Sequence, residues 1–260
     1  MAAWCRIETG EGPRFALVRE AMIHPVLGDP FGEHREAGEP VPVAAARWLP
    51  PIVPPTFYCV GLNYRDHILQ GQARGIKVAK FPTRPEIGYR ANNALAGHGS
   101  PIVRPRDFTG TLEYEGEVVV VIGRRLKKCS RQEAADAIFG WTIGNDVSAR
   151  EWQHGDRTLW RGKNSDTFKP MGPVIVTQFD LGAARTVVRV NGTEMSAFAT
   201  GSMIFDPVDY ITEMSKYLTL VPGDIIWMGA DGTGEIKAGD LVEVEISGIG
   251  TLANPVVDEA

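Results

Sequence analysis

Apolar residues in this chain come in short runs that favour strands over helices. Segments rich in β-branched residues predict strands at 56–60, 118–122, 174–177, 187–190, 225–228 and 241–246. The last segment alternates apolar and charged positions, so Val242, Val244 and Ile246 are expected to face the core while the glutamates between them face solvent. The pattern therefore predicts a mainly β protein.

Two short helices are predicted between the strands. One begins after an N-cap at Ser130, in a capping-box pattern, and is expected to end at Gly140. The other begins after an N-cap at Asp206 and carries an apolar stripe that extends to Leu218. Helices that interrupt the strands so irregularly disfavour repeating βαβ units and favour a mixed α/β, predominantly β, barrel-like domain.

Turn-forming residues divide the chain near residue 55. Residues 1–55 are short apolar pieces broken by glycine and proline, and they end in a proline cluster at 50–55. We therefore predict a small N-terminal β-rich region with a stiff proline linker over 1–55, followed by a main domain over 56–260.

Composition narrows the class of protein. The 260 residues are 43% hydrophobic and carry a net charge of −5, which excludes a disordered chain and argues against nucleic acid or a membrane surface as partner. A small molecule is the expected partner. The three cysteines show no metal-binding spacing, and no apolar run is long enough to span a membrane, so a cytoplasmic location is expected.

Carboxylates are concentrated just before the predicted strand at 118–122. Glu113, Glu115 and Glu117 alternate along the chain and would project from one face of an extended segment. These glutamates either point into solvent at the end of a strand or belong to a buried site, where a cation would relieve the repulsion between their charges. Asp146, in a second polar segment, could join them at the sheet rim. A site made only of carboxylate oxygens suits Mg²⁺ or Mn²⁺.

Four segments resemble those of the fumarylacetoacetate hydrolase family. They are CVGLNYRDH at 59–67, LEYEGEV at 112–118, NDVSAREWQ at 145–153 and GKNSDTFKPMGP at 162–173. The resemblance covers roughly residues 57–256, in order and at compatible spacings, which is more specific than any single motif.

This resemblance implies a β-roll core, a homodimer, and a Mg²⁺ or Mn²⁺ ion held by Glu115, Glu117 and Asp146. Members of the family cleave or rearrange 2-oxo acids and 1,3-dicarbonyl acids. The expected substrate is therefore a 2-oxo acid whose two oxygens chelate the metal, which stabilises the enolate formed during reaction.

The resemblance also implies roles for individual side chains. His67 is expected to activate water or move a proton, and Lys163 to stabilise enolate charge. Arg90 is expected to hold a substrate carboxylate, and Gln153 to contact a substrate oxygen. Gln70 stands where many hydrolases and decarboxylases of the family have a glutamate that orients the histidine, and it is predicted to contact substrate instead.

The leading prediction is a metal-dependent hydrolase of a C–C bond in an acylpyruvate-like or fumarylacetoacetate-like acid of aromatic catabolism. The alternative is an isomerase, decarboxylase or hydratase of an unsaturated 2-oxo diacid, of the 2-hydroxyhepta-2,4-diene-1,7-dioate isomerase type, and Gln70 favours this alternative. A more remote reading is a cation-stabilised binding protein without activity. Residues 64–85, punctuated by glycine and proline, are predicted to form a lid over the metal.

Overall fold

β-strands dominate the computed structural model, which describes residues 3–73 and 81–260. The strands of this part are β1 (Ala3–Thr9), β2 (Gly12–Arg19), β3 (Met22–Gly28), β4 (His34–Glu36), β5 (Val41–Pro42), β6 (Phe57–Cys59), β7 (Gly88–Tyr89), β8 (Leu95–Ala96), β9 (Ile102–Arg104), β10 (Leu112–Tyr114), β11 (Gly116–Ile122), β12 (Ile138–Asn145), β13 (Ser148–Ala149), β14 (Lys169–Val176), β15 (Arg185–Val190), β16 (Thr193–Ala199), β17 (Ile225–Trp227), β18 (Gly234–Ile236), β19 (Leu241–Ile246) and β20 (Gly250–Asp258).

The helices of the described residues are short. They are α1 (Arg65–Ala73), α2 (Arg131–Asp136), α3 (Arg150–Gly155), α4 (Trp160–Asn164), α5 (Pro207–Ser215) and two 3₁₀ turns at Val43–Ala45 and Asn92–Ala94. This confirms the predicted mixed but predominantly β class.

Strand pairing in the described residues forms three sheets. The largest has twelve strands in the order β4-β3-β2-β1-β14-β12-β11-β17-β6-β7, with β5 joined to β3 and β8 joined to β14. A five-stranded sheet runs β16-β15-β19-β20-β9, and a three-stranded sheet runs β13-β10-β18.

Strand β11 lies inside the large sheet and is buried along its whole length. Val118, Val120 and Ile122 belong to a core cluster that includes residues of β15, β19 and β20, whereas Val119 and Val121 belong to a second cluster that includes residues of β6 and β17. A strand covered on both faces carries apolar residues at every position, which is why this segment is an unbroken run of valine and isoleucine.

Each of the six predicted strands coincides with, or overlaps, an observed strand. The alternation in β19 is also as predicted, since Val242, Val244 and Ile246 are buried and the glutamates between them are partly exposed. These segments could be located because their pattern follows the two-residue period of a strand.

The predicted helix ends are wrong. Helix α2 ends at Asp136 and not at Gly140, because the chain from Ile138 onwards pairs with β11 as strand β12. Helix α5 ends at Ser215, so Leu218 lies beyond it, although its side chain still packs against the core. In both places tertiary pairing and packing decide the helix boundary.

The N-terminal strands are continuous with the main sheet. Strand β1 pairs with β2 on one side and with β14 on the other, in the register Ala3 to Val176 and Trp4 to Ile175. The domain boundary at residue 55 stays a prediction. Among the described residues, no helix combines the length and the apolar character needed to cross a membrane.

Candidate metal and catalytic site

Antiparallel pairing of β11 with β12 brings three carboxylates together. Glu117 pairs with Gly144, and just beyond the ladder the backbone N–H of Asp146 donates to the carbonyl oxygen of Glu115 at 2.9 Å. The backbone N–H of Glu115 donates to the side-chain oxygen of Asn145 at 3.0 Å. As a result, carboxylate oxygens of Glu115, Glu117 and Asp146 lie within 4.8 Å of one another, and all three residues are buried.

Gly116 allows the second sheet to pass directly beneath this cluster. A Cβ atom at position 116 would lie 2.7 Å from Cγ2 of Val188 and 2.9 Å from Cγ1 of Val244. Side chains on β15 and β19 therefore fill the space under the backbone between the two glutamates. The Glu-Gly-Glu spacing thus places two carboxylates on one side and leaves the other side free for close packing.

Lys163 lies among the carboxylates and is only 4% exposed. Its Nζ donates to Oε2 of Glu115 at 2.6 Å and to Oδ2 of Asp146 at 2.9 Å. Helix α4, which carries Lys163, is held by Asp156, whose Oδ2 accepts from backbone N–H groups of Arg161 and Gly162. The ammonium is therefore an internal partner of the acidic cluster and not a surface charge.

Asp146 has two further cationic partners. Arg90 donates to both of its carboxylate oxygens, at 3.2 and 2.9 Å, and is itself largely buried. Lys169 is fully buried, with Nζ 2.6 Å from Oδ1 of Asp146 and hydrogen bonds to two backbone carbonyls. The guanidinium predicted to hold a substrate carboxylate thus also holds a candidate metal ligand. Lys169 was not predicted, because an isolated lysine in a strand is usually exposed.

Arg150, also not predicted from the sequence, links the remaining acids. Its guanidinium donates to Oε2 of Glu113 at 2.7 Å, to Oε1 of Glu115 at 2.5 Å and to Oε1 of Gln153 at 2.9 Å. Glu113 therefore orients Arg150 and lies outside the three-carboxylate cluster. The sequence signal for Arg150 was its place in the polar segment at 145–153, four residues after Asp146.

The electrostatics of the cluster fit a divalent cation. Burial raises the pKa of Glu115, but the charges of Lys163 and Arg150 outweigh it and hold that pKa at about 2. For Glu117, burial and the charges of Asp146 and Glu115 both raise the pKa well above its usual range. Within residues 3–73 and 81–260, no lysine or arginine forms an ion pair with Glu117, which accepts a hydrogen bond from the backbone N–H of Gly229 at 2.8 Å. The all-oxygen donor set and the incompletely compensated Glu117 suit a hard cation such as Mg²⁺ or Mn²⁺.

A cavity of about 170 Å³ opens over the cluster. The described residues that line it include all but one of the predicted site residues: His67, Arg90, Glu115, Glu117, Asp146, Gln153 and Lys163. Gln70 is not among them, since its side chain lies exposed on α1 one turn beyond His67. The predicted lid at 64–85 begins with α1, and its residues 74–80 lie outside the described residues.

The mainly β fold holds three buried carboxylates that could bind a metal ion, together with a buried lysine and a histidine, around one small cavity, an arrangement that suits an enzyme site. The family model for the C-terminal domain of fumarylacetoacetate hydrolase matches residues 56–257, and a model described as Rv2993c-like, N-terminal, matches residues 3–51. The chain belongs to the fumarylacetoacetate hydrolase family, which is a family of enzymes.

Several relatives share most of the chain. Protein Rv2993c of Mycobacterium tuberculosis is 38% identical over 263 residues, which cover 97% of each chain. The crystal structure of a 2-hydroxyhepta-2,4-diene-1,7-dioate isomerase from Mycobacterium marinum is 36% identical, covers 100% of both chains and superposes with a TM-score of 0.87. The oxaloacetate tautomerase YisK of Bacillus subtilis is 34% identical over 76% of this chain and 68% of its own length.

Proposed function

We propose that this chain catalyses proton transfer on a small 2-oxo dicarboxylic acid, as a tautomerase or isomerase that depends on Mg²⁺ or Mn²⁺. One observation carries the proposal. His67 and Lys163 line one cavity with the carboxylate cluster, while the residue one helical turn beyond His67 is the neutral, exposed Gln70. Many hydrolases and decarboxylases of the family have a glutamate at this position, and its replacement by a neutral amide favours proton transfer by the imidazole over activation of water.

The names of two relatives support the same reaction class. One is a 2-hydroxyhepta-2,4-diene-1,7-dioate isomerase and the other an oxaloacetate tautomerase. In both names the substrate is a dicarboxylic acid, and the reaction moves a hydrogen without adding water.

The charge of the site supports a doubly negative ligand. When all groups are ionised, the described site balances four carboxylates against four cations: Glu113, Glu115, Glu117 and Asp146 against Arg90, Arg150, Lys163 and Lys169. A divalent cation added to this balanced set leaves the site with two positive charges. A 2-oxo dicarboxylic acid supplies two negative charges from its two carboxylates as it binds in the keto form.

The metal ion, Lys163 and His67 would each have a separate role in the proposed reaction. A bound Mg²⁺ or Mn²⁺ would withdraw electron density from the keto and carboxylate oxygens of the substrate and stabilise the enolate. Lys163 donates from Nζ to the oxygen on which negative charge develops. An imidazole nitrogen of His67 accepts the proton from the carbon beside the keto group and returns it to the enolate oxygen or to another carbon of the conjugated system. No atom is gained or lost.

Hydrolysis of a C–C bond, the leading prediction from the sequence, is the second candidate. The observation that favours it is the position of His67 in the same cavity as the carboxylate cluster, where a base that activates water would have to lie.

A metal-reconstituted assay separates the candidates. The protein would be stripped with EDTA, reloaded with Mn²⁺ or Mg²⁺, and offered oxaloacetate and acetylpyruvate, with enol absorbance followed and products identified by mass. We expect metal-dependent interconversion of the oxaloacetate tautomers. Cleavage of acetylpyruvate as the faster reaction would favour hydrolysis, and Mn²⁺ binding without turnover of any 2-oxo acid would favour the non-catalytic alternative.

A further inference from the structure

Helix α1, which carries His67, begins without a capping side chain of its own. The carbonyl of Tyr64 accepts the first hydrogen bond of the helix, from the backbone N–H of Ile68 at 3.3 Å, which makes Tyr64 the N-cap residue. Its side chain is fully buried, and the hydroxyl donates to the carbonyl oxygen of Thr200 at 2.7 Å. Tyr64 therefore does not perform the usual N-cap role, which is to accept a hydrogen bond from the third residue of the helix.

That third residue is His67, and its backbone N–H is satisfied from far along the chain. Oδ1 of Asp231 accepts the hydrogen bond at 2.9 Å, across 164 positions of sequence. A carboxylate in this place is also favoured by the partial positive charge at a helix N-terminus. We propose that Asp231 is a positioning residue for His67, which it holds over the carboxylate cluster by capping α1 from the loop that follows β17.

The same loop contacts the metal site. Two residues before Asp231, the backbone N–H of Gly229 donates to Oε2 of Glu117 at 2.8 Å. Gly229 has φ +83°, a conformation that side chains rarely adopt, and this turns its N–H towards the carboxylate. One residue earlier, the carbonyl of Met228 accepts from the side-chain amide of Asn63 at 3.0 Å.

Three residues within the loop stretch 228–231 therefore hold both the carboxylate of Glu117 and the start of α1. They contact the segment before α1, the carboxylate of Glu117 and the backbone of His67 in turn. The distance from the imidazole to the metal ligands is thus set by this short piece of backbone and not by α1 alone. The inference rests on the proposed role of His67 in proton transfer, and a misplacement of about 1 Å at such a group lowers turnover by about 100-fold.

Two substitutions test the capping bond directly. Asp231→Ala removes the acceptor, whereas Asp231→Asn keeps an oxygen acceptor of the same size. Hydrogen–deuterium exchange of the α1 segment should rise about tenfold or more in the alanine variant and stay close to the parent in the asparagine variant. Mn²⁺ binding measured by calorimetry should stay close to the parent in both, because Asp231 does not contact the three carboxylates.

Turnover tests the consequence for His67. With oxaloacetate as substrate, Asp231→Ala should lower kcat by about 10- to 100-fold with a change in KM below about threefold, and Asp231→Asn should restore kcat. The control is Asp180→Ala, which removes a comparable acceptor of two backbone N–H groups in a loop that does not line the cavity. This variant should leave kcat unchanged.

Separate outcomes would overturn the inference and the proposed function. Unchanged exchange of α1 in Asp231→Ala would show that Asp231 does not hold the helix, and raised exchange with unchanged kcat would show that it does not position His67. Parent-like kcat in His67→Ala would overturn the proposed proton transfer instead. If His67→Ala is inactive and Asp231→Ala is fully active, the function stands and the positioning role does not.

Discussion

Nζ of Lys163 lies 2.6 Å from Oε2 of Glu115, and both side chains are buried. The same ammonium is 2.9 Å from Asp146, so one lysine bridges two of the three candidate metal ligands. Removing one partner alone from a buried pair of this kind strongly destabilises the folded protein, because an uncompensated charge remains. The cluster is therefore organised by internal cations, and several measurements can separate their contributions.

The carboxylate cluster is expected to bind one Mn²⁺ or Mg²⁺. Glu115→Gln and Asp146→Asn should each weaken Mn²⁺ binding by more than about 100-fold, since loss of a direct ligand costs more than the 10- to 100-fold typical of an outer partner. Calorimetry at fixed pH measures the effect. Glu113→Gln is the matched control, because Glu113 contacts Arg150 instead of the cluster, and its effect should stay below about tenfold. Equal losses in all three variants would contradict the assignment of ligands.

Lys163 is expected to serve turnover and not metal retention. Lys163→Met should lower kcat by about 10²- to 10³-fold, the range for losing one preorganised donor at a developing negative charge. The dissociation constant for Mn²⁺ should not rise, because the substitution removes a competing cation from between two ligands. Lys127→Met, at an exposed lysine, should change neither quantity. A large rise in the Mn²⁺ dissociation constant would mean that Lys163 is needed to shape the ligands.

Position 70 distinguishes the two candidate reactions. Gln70 follows His67 by three residues on α1, so the two side chains leave the same side of the helix. Gln70→Glu should raise acetylpyruvate hydrolysis by tenfold or more if a carboxylate at this position strengthens the imidazole as a base, and should leave oxaloacetate tautomerisation unchanged or slower. Gln72→Glu adds the same charge on the same helix without this spacing, and should have neither effect. Faster tautomerisation in Gln70→Glu would contradict the proposal that a neutral residue at position 70 favours proton transfer.

Close packing under the site is expected to limit residue 116 to glycine. Gly116→Ala would place a methyl group 2.7 Å from Val188, and overpacking of this kind costs about 1–3 kcal/mol of unfolding free energy. Urea denaturation of the metal-free protein measures it. Gly155→Ala meets no atom within 4 Å and should be neutral or slightly stabilising. Equal stability of the two variants would show that the side chains of the second sheet shift to accommodate the added methyl group at little cost.

Buried thiols should make the protein resistant to thiol reagents at mildly alkaline pH. Burial raises the pKa of Cys5 to about 12 and that of Cys59 to about 11, whereas Cys129 is only half-buried. In the folded protein at pH 8, one thiol should react quickly with Ellman's reagent, and all three should react in urea. Fast reaction of more than one thiol in the folded state would contradict the burial.

The pH dependence of stability follows from the same shift at Cys5. Its pKa is higher in the folded chain than the ordinary value of 9.0, so the unfolded chain releases this proton first as the pH rises. Below about pH 9 this thiol makes its full contribution to the free energy of unfolding. The free energy of unfolding should then fall between about pH 9 and pH 12. Cys5→Ala should show a shallower decline than the parent.

The sequence by itself determined the strands, the class of fold and the family. Strand β11 could be predicted because a strand buried on both faces is an unbroken run of apolar residues. Strand β19 could be predicted because a strand buried on one face alternates apolar and polar residues. The candidate ligands could be named because Glu115, Glu117 and Asp146 stand in segments that resemble the family at compatible spacings. The predicted homodimer stays a prediction.

Only the tertiary structure decided where helices end and which charges meet. Strand pairing from Ile138 ended α2 early, and antiparallel contact between β11 and β12 brought the carboxylates within reach of one another. Lys169 and Asp231 had no local signal, since the first is a lysine in a strand and the second an aspartate in a turn. Their roles arise from contacts with residues 23 and 164 positions away. Hydrophobic periodicity is a property of neighbouring residues and can be read along the chain, whereas ion pairs and caps between distant segments depend on how the sheets pack.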